Sequence, residues 1–202
     1  MLHDPAALTH EATLAAFEEA SDAFLATLRA IVDWEAPGIG EWTVRELAGH
    51  TLRAYTTIET YLDGPPIIDA DVASPSAYFR TALATPGVHD AVAQRGRDAA
   101  VGLDDPVGVA ETTAARVIEL IRSVDPAHVV ESLAGRMSFT DYLVTRVVEL
   151  TIHTTDLQVA AAFPVFIPAT AAGVVLTTIV AMSDPATIVR ALTGRGTVHV
   201  LG

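Results

Sequence analysis

Three features of this sequence predict an all-α fold, a four-helix bundle with extra helices. Apolar residues recur at helical spacing over four long stretches, near 8–33, 43–62, 105–124 and 139–161. Cap residues and Pro/Gly breaks punctuate those stretches, and no internal repeat, low-complexity tract or sustained heptad competes with that reading. The length of 202 residues with 50% hydrophobic content suits one domain, 1–202, with a substantial core, and argues against disorder.

The first helix is read over 8–33, where Leu14, Phe17, Phe24, Leu28 and Ile31 line one side and Glu18, Glu19 and Asp22 the other. Pro37-Gly-Ile-Gly40 closes that region. The next helix opens on Thr43 with Glu46 three residues on, the capping-box pattern, and continues through Val44, Leu47, Leu52, Tyr55 and Ile58 to Asp63-Gly-Pro-Pro66. Ser74-Pro75 starts a shorter helix that Thr85-Pro-Gly87 interrupts, and Val88–Val101 forms another, carrying Arg95 and Arg97. Asp104-Asp-Pro106 caps the helix that runs to Asp125-Pro126, and 129–135 reads as extended. A central helix starts near Ser138 or Thr140. One from about Pro168 and a short one after Asp184-Pro185 follow, and the tail 197–202 is a stray strand or a frayed end.

Charge narrows the partners. Twelve basic residues, all arginine, stand against twenty-five acidic ones, for a net charge of −13. That disfavours nucleic acid and anionic membranes. Residues 157–183 carry no charge, yet Pro164, Pro168 and Gly173 interrupt them and acidic flanks border them, so two soluble helices are expected and no membrane span. The start of the chain lacks a basic segment followed by an apolar run, so no signal peptide is read there. Absence of cysteine removes disulfides, thiolate ligands and a cysteine nucleophile together, and fits a cytoplasmic location.

The chemistry concentrates in the central helix. Tyr142, Arg146, Glu149, His153 and Asp156 follow one another at spacings of four, three, four and three, so they share one face. Leu143, Val147, Leu150, Ile152 and Leu157 cover much of the rest, which sets the helix centrally with its polar stripe inward. Buried charges need partners, and Glu149 with His153 can close on one cation from one side. His50, flanked by small Ala48 and Gly49, is the candidate third ligand, since two histidines and a glutamate form a catalytic zinc set with one open position. The competing reading makes both histidines hydrogen-bonded core residues and pairs Glu149 with Arg146. Asp156, one turn past His153, can accept a ring N–H and fix its tautomer, or meet His50 or an arginine opposite. His3, His10, His89, His128 and His199 read as surface residues.

Trp42-Thr-Val-Arg-Glu-Leu-Ala-Gly-His50 together with Arg146-Val-Val-Glu-Leu-Thr-Ile-His-Thr-Thr-Asp-Leu157 resembles the mycothiol-dependent maleylpyruvate isomerase N-terminal family, of the DinB-like superfamily of metal-binding bundles. The resemblance runs from the first helix to Arg195. It implies a divalent metal, usually zinc, on His50, Glu149 and His153, with mycothiol as the thiol cosubstrate at the open position. A cysteine-free enzyme would then receive its sulfur from the cosubstrate. The isomerase carries a further C-terminal domain with a functional arginine, outside these 202 residues, so maleylpyruvate isomerisation itself is not expected, while a mycothiol-using thiol transfer or isomerisation of another small electrophile, or some other metal-assisted step, stays open. Arg53 and Arg146 can substitute as anion contacts, or form salt bridges to Glu46, Glu149 or Asp156. Two other classes compete: a non-catalytic metal- or small-molecule-binding bundle, and a structural bundle forming a homodimer through the apolar helix around 168–182.

Overall fold

The computed structural model describes residues 8–64, 67–198 and 200. Eight helices and one hairpin appear among them: α1 (His10–Ala30), α2 (Val44–Leu62), α3 (Pro75–Leu83), α4 (Val88–Ala100), α5 (Pro106–Arg122), β1 (Val129–Ser132), β2 (Gly135–Ser138), α6 (Phe139–Ala160), α7 (Ala169–Met182) and α8 (Pro185–Leu192). The fold is all-α, a DinB-like helical bundle with additions.

Four helices close a ring in which α6 lies between α1 and α2, and α5 packs on both of those from the other side. Across the ring, Phe17 and Phe24 of α1 meet the Tyr55 ring of α2 at centroid distances of 5.5 and 6.2 Å. The two long connections are filled rather than looped. The first holds α3, which packs on α6 and α7, and α4, which packs on α2. The second holds the antiparallel β1–β2 hairpin, paired from Val129↔Ser138 to Ser132↔Gly135.

Local chemistry sets the ends of the two helices that matter most. Thr43 and Glu46 make the full capping box at the start of α2, each side chain bonding the other residue's backbone N–H at 3.2 and 2.8 Å. Ser138 caps α6 by accepting from the Asp141 N–H. At the far end Ala162 takes a left-handed φ of 57°, and the Phe163 N–H turns back to the Gln158 carbonyl, closing the last turn.

α6 is buried almost all round. Phe139, Tyr142, Leu143, Val147, Val148, Leu150 and Leu157 have no exposed surface, and truncating one such leucine costs about 2–5 kcal/mol. α7 buries Ala171, Val174, Val175 and Thr178, while Leu176 and Val180 face outward. No helix among the described residues is long and apolar enough to cross a membrane.

The differences from the sequence reading are local. α1 covers 10–30 rather than 8–33, because Ile31 turns extended and directs Trp34 and Ala36 back onto the start of α2. The extended piece at 129–135 gains a second strand before the central helix begins. In the tail, Thr197 and Val198 are irregular, and His199, Leu201 and Gly202 lie outside the described residues, as does His3.

Candidate metal centre

α2 and α6 run side by side, and their contact brings His50 against the polar stripe of α6. One ligand atom each from His50, Glu149 and His153 lies within 4.8 Å of the other two. Glu149 Oε2 faces both imidazoles, 3.3 Å from His153 Nε2 and 4.0 Å from His50 Nε2. The two rings stand edge to face, with centroids 4.7 Å apart. On its other side His153 Nδ1 meets Asp156 Oδ2 at 3.0 Å, so the carboxylate fixes that ring and leaves Nε2 turned toward Glu149. His50 is held by stacking on Trp42 at 4.7 Å, and its Nδ1 is buried with no hydrogen-bond partner among the described residues.

The electrostatics suit a cation. Burial, then the neighbouring His153, drives the His50 pKa down to about 3, so His50 is a neutral imidazole. Burial opposes ionisation of Glu149, but the His153 hydrogen bond and the Arg146 charge outweigh it and hold Glu149 at about 2. Burial likewise opposes protonation of His153, yet hydrogen bonds to Asp156 and Glu149 raise it to about 9. A proton on His153 thus occupies, near neutral pH, the position between carboxylate and imidazoles where a divalent ion would put its charge. These residues fit a metal.

This cluster opens on a cavity of about 440 Å³, walled by α2, α3, α4 and α6. Arg53, one turn after His50, lines it. Arg146 lines it too, its guanidinium against the rings of Tyr142 and Tyr78 at 4.9 and 5.5 Å and donating to Tyr78 Oη at 3.0 Å. Tyr142 itself donates to Thr57 across the helix pair.

The family model described as "Mycothiol maleylpyruvate isomerase N-terminal domain" matches residues 14–158. The chain belongs to this family. No curated protein and no solved structure matches it. As a member of the mycothiol maleylpyruvate isomerase N-terminal domain family, the chain is a mycothiol-associated, enzyme-like domain, and the matched span contains His50, Arg53, Arg146, Glu149, His153 and Asp156.

Within this family member, the structure brings His50, Glu149, His153 and Asp156 into one cluster and sets Arg53 and Arg146 on the same cavity. It leaves the salt bridges weighed for the two arginines unmade: neither pairs with a carboxylate among the described residues, and Arg146 is engaged by tyrosines instead. His10 is not a free surface residue, since its Nδ1 lies 2.9 Å from Thr140 Oγ1 and ties the start of α1 to the start of α6. Sequence reasoning passed over Tyr78 and gave Trp42 and Arg95 no role at the site. Only the arginine carried a signal, as a rare positive charge in an acidic chain.

Proposed function

We propose that His50, Glu149 and His153 hold one divalent metal ion, zinc by the chemistry of two imidazoles and one carboxylate, and that the adjoining cavity brings a low-molecular-weight thiol, mycothiol, to a small electrophile. The observation that carries this reading is the convergence of three ligand atoms, within 4.8 Å of one another, on the wall of a cavity. A divalent cation in such a set lowers the proton affinity of a thiol that reaches its open position, making a competent nucleophile near neutral pH. Family membership supports mycothiol as that thiol, and the absence of cysteine means that the nucleophilic sulfur comes from outside the chain.

The protein's own groups have separable tasks. Asp156 holds His153 in one tautomer, and Trp42 holds the His50 ring. Glu149 stays ionised beside both imidazoles. Arg146, held against two tyrosines, presents positive charge to the cavity where negative charge develops during attack. Tyr78, whose pKa burial raises, keeps its proton and remains a hydrogen-bond donor there. A free thiol requires a reducing compartment, so a cytoplasmic location accompanies this reading.

The test has two stages. Elemental analysis of chelator-free protein should give one metal ion per chain, lost in His50→Ala, Glu149→Ala and His153→Ala. Full metal content in His50→Ala would show the ligand set to be wrong. Zinc-loaded protein is then incubated with a reactive electrophile, with and without mycothiol, and adducts are followed by mass spectrometry. Acceleration over the free-thiol rate that disappears in His153→Ala supports thiol transfer. Metal-dependent turnover with no thiol present would replace it with hydrolysis.

A further inference from the structure

The cavity beside the ligand cluster has a charge that the rest of the molecule lacks. Three of the twelve arginines line it, Arg53, Arg95 and Arg146, against one of the twenty-five carboxylates, Glu149, which belongs to the ligand cluster. Elsewhere arginines find acceptors: Arg29 bonds Glu111, Arg45 bonds Glu35, Arg116 bonds Glu59, Arg122 bonds Glu18 and Arg136 bonds Asp71, while Arg80, Arg97, Arg190 and Arg195 donate to backbone or amide carbonyl oxygens. The side chains of Arg53 and Arg95 have neither an ion pair nor a hydrogen bond among the described residues.

Their placement is specific. Arg53 follows His50 by three positions on α2, so it points along the same face as the ligand. Arg95 comes from α4, whose docking against α2 is close: a Cβ on Gly96 would fall 2.6 Å from the Trp42 ring, and the Trp42 indole N–H donates to the Ala93 carbonyl at 3.0 Å. The helix that seals the Trp42–His50 stack therefore also delivers Arg95 to the cavity. Partial burial and then the like charge of Arg95 push the Arg53 guanidinium below its ordinary pKa, so the two cations are close enough to repel. Two half-buried guanidinium groups facing one cavity with no counter-ion are an unfavourable arrangement that a bound anion relieves.

We propose that Arg53 and Arg95 form an anion subsite, and that the small molecule taken by this cavity carries a carboxylate or phosphate group. Arg146 has a different setting, since its Nε and one terminal nitrogen donate to Thr145 and Tyr78 and its guanidinium lies against the Tyr78 and Tyr142 rings. The inference rests on the reading of the cavity as a substrate site and is independent of the metal.

Binding is measured by titration calorimetry on the metal-free protein, dialysed free of chelator, with succinate, inorganic phosphate and the uncharged isostere succinamide as probes. Succinate or phosphate should bind, with the preferred one naming the anionic group, and succinamide should not. Arg53→Gln and Arg95→Gln should each weaken the preferred anion by about tenfold or more, as expected for losing a charge-assisted hydrogen bond, with melting temperatures that remain close to the parent. Arg97→Gln, on α4 but off the cavity, is the control and should bind like the parent. Equal binding of succinamide, unchanged affinity in both arginine variants, or an equal loss in Arg97→Gln would overturn the subsite. His153→Ala separates this proposal from the metal reading: anion binding retained there stands even if the metal assignment fails, and anion binding absent from every metal-free form refutes the subsite while leaving the ligand triad untouched.

Discussion

The bundle has two clefts of similar size whose polar atoms are used in opposite ways. The cavity of about 440 Å³ beside α2 and α6 is lined by His50, Glu149, His153 and three arginines. The cleft of about 520 Å³ beside α1, under the 161–168 connection, is lined largely by Ala, Phe and Pro, with Glu19 and Asp22 at its edge. Its one buried amide, Gln158, is saturated from within: it accepts from the Phe166 N–H at 2.9 Å and donates to Thr27 Oγ1 at 3.1 Å. Glu19 likewise accepts from Thr170 at the start of α7. In the first cavity, by contrast, His50 Nδ1 has no partner and two arginines stand unpaired among the described residues. Volume does not separate a binding site from a packing defect here. The separation lies in whether buried polar groups satisfy one another or remain available to something that enters.

That contrast can be tested, starting with the strongest handle. Zinc should raise the melting temperature of chelator-stripped protein, by an amount equivalent to about 2.7 kcal/mol at a hundredfold excess over the dissociation constant. His153→Ala should show no such rise, and a similar rise in both proteins would mean that zinc binds elsewhere. Asp156→Asn comes next, with a loss of about ten- to a hundredfold in metal affinity. The same change reports on pH in the metal-free protein. His153 has a folded pKa of about 9 against an ordinary 6.5, raised, with burial opposing, by Asp156 and Glu149. Its stabilising contribution is therefore complete below 6.5 and is lost as pH rises through 9. Melting curves between pH 6 and 10, as rough bounds of that window, should display this decline in the parent and a smaller one in Asp156→Asn. A flat profile in the parent would refute the imidazolium between two carboxylates.

The second cleft should answer to stability alone. Gln158→Ala leaves the Phe166 N–H and Thr27 with lost partners, and should cost about 1–3 kcal/mol in denaturant unfolding while leaving metal affinity unchanged. A shift in metal affinity would mean that the two clefts are coupled through α6. The smallest effect is a gain. Ala162 adopts a left-handed conformation, at φ 57°, that glycine accepts without steric cost. Ala162→Gly should stabilise by about 0.5–1 kcal/mol, and a loss would show that the turn is set by contacts of the Ala162 methyl group instead.

How much of this was legible in the sequence follows from the range of the interactions involved. The start of α2 was readable because Thr43 and Glu46 cap through residues three apart, and the stripe on α6 because 3.6 residues per turn places Glu149, His153 and Asp156 in register. His50 could be nominated because its small neighbours Ala48 and Gly49 signal close approach. Trp42 against His50, Tyr78 against Arg146, and Arg95 beside Arg53 were not readable. Tyr78 and Arg95 depend on how residues 63–104 fold back over α2 and α6, and Trp42 on how the turn before α2 lays its ring on the helix; no local pattern encodes either path. The second strand of the hairpin was missed for a related reason: four residues are too few to display alternation, and Gly135–Ser138 lead straight into the cap of α6.

Gly49, next to His50 in the chain, lies where α4 closes on α2. A Cβ added there would lie 3.0–3.2 Å from the backbone of Ala99 and Ala100, the final residues of α4. Any larger side chain would wedge α4 away from α2 and carry the Arg95 wall outward with it. Adjacent positions in the chain thus govern two independent properties, His50 the chemistry at the ligand cluster and Gly49 the calibre of the cavity. A relative could widen its intake for a bulkier molecule through one substitution at Gly49, keeping every ligand in place.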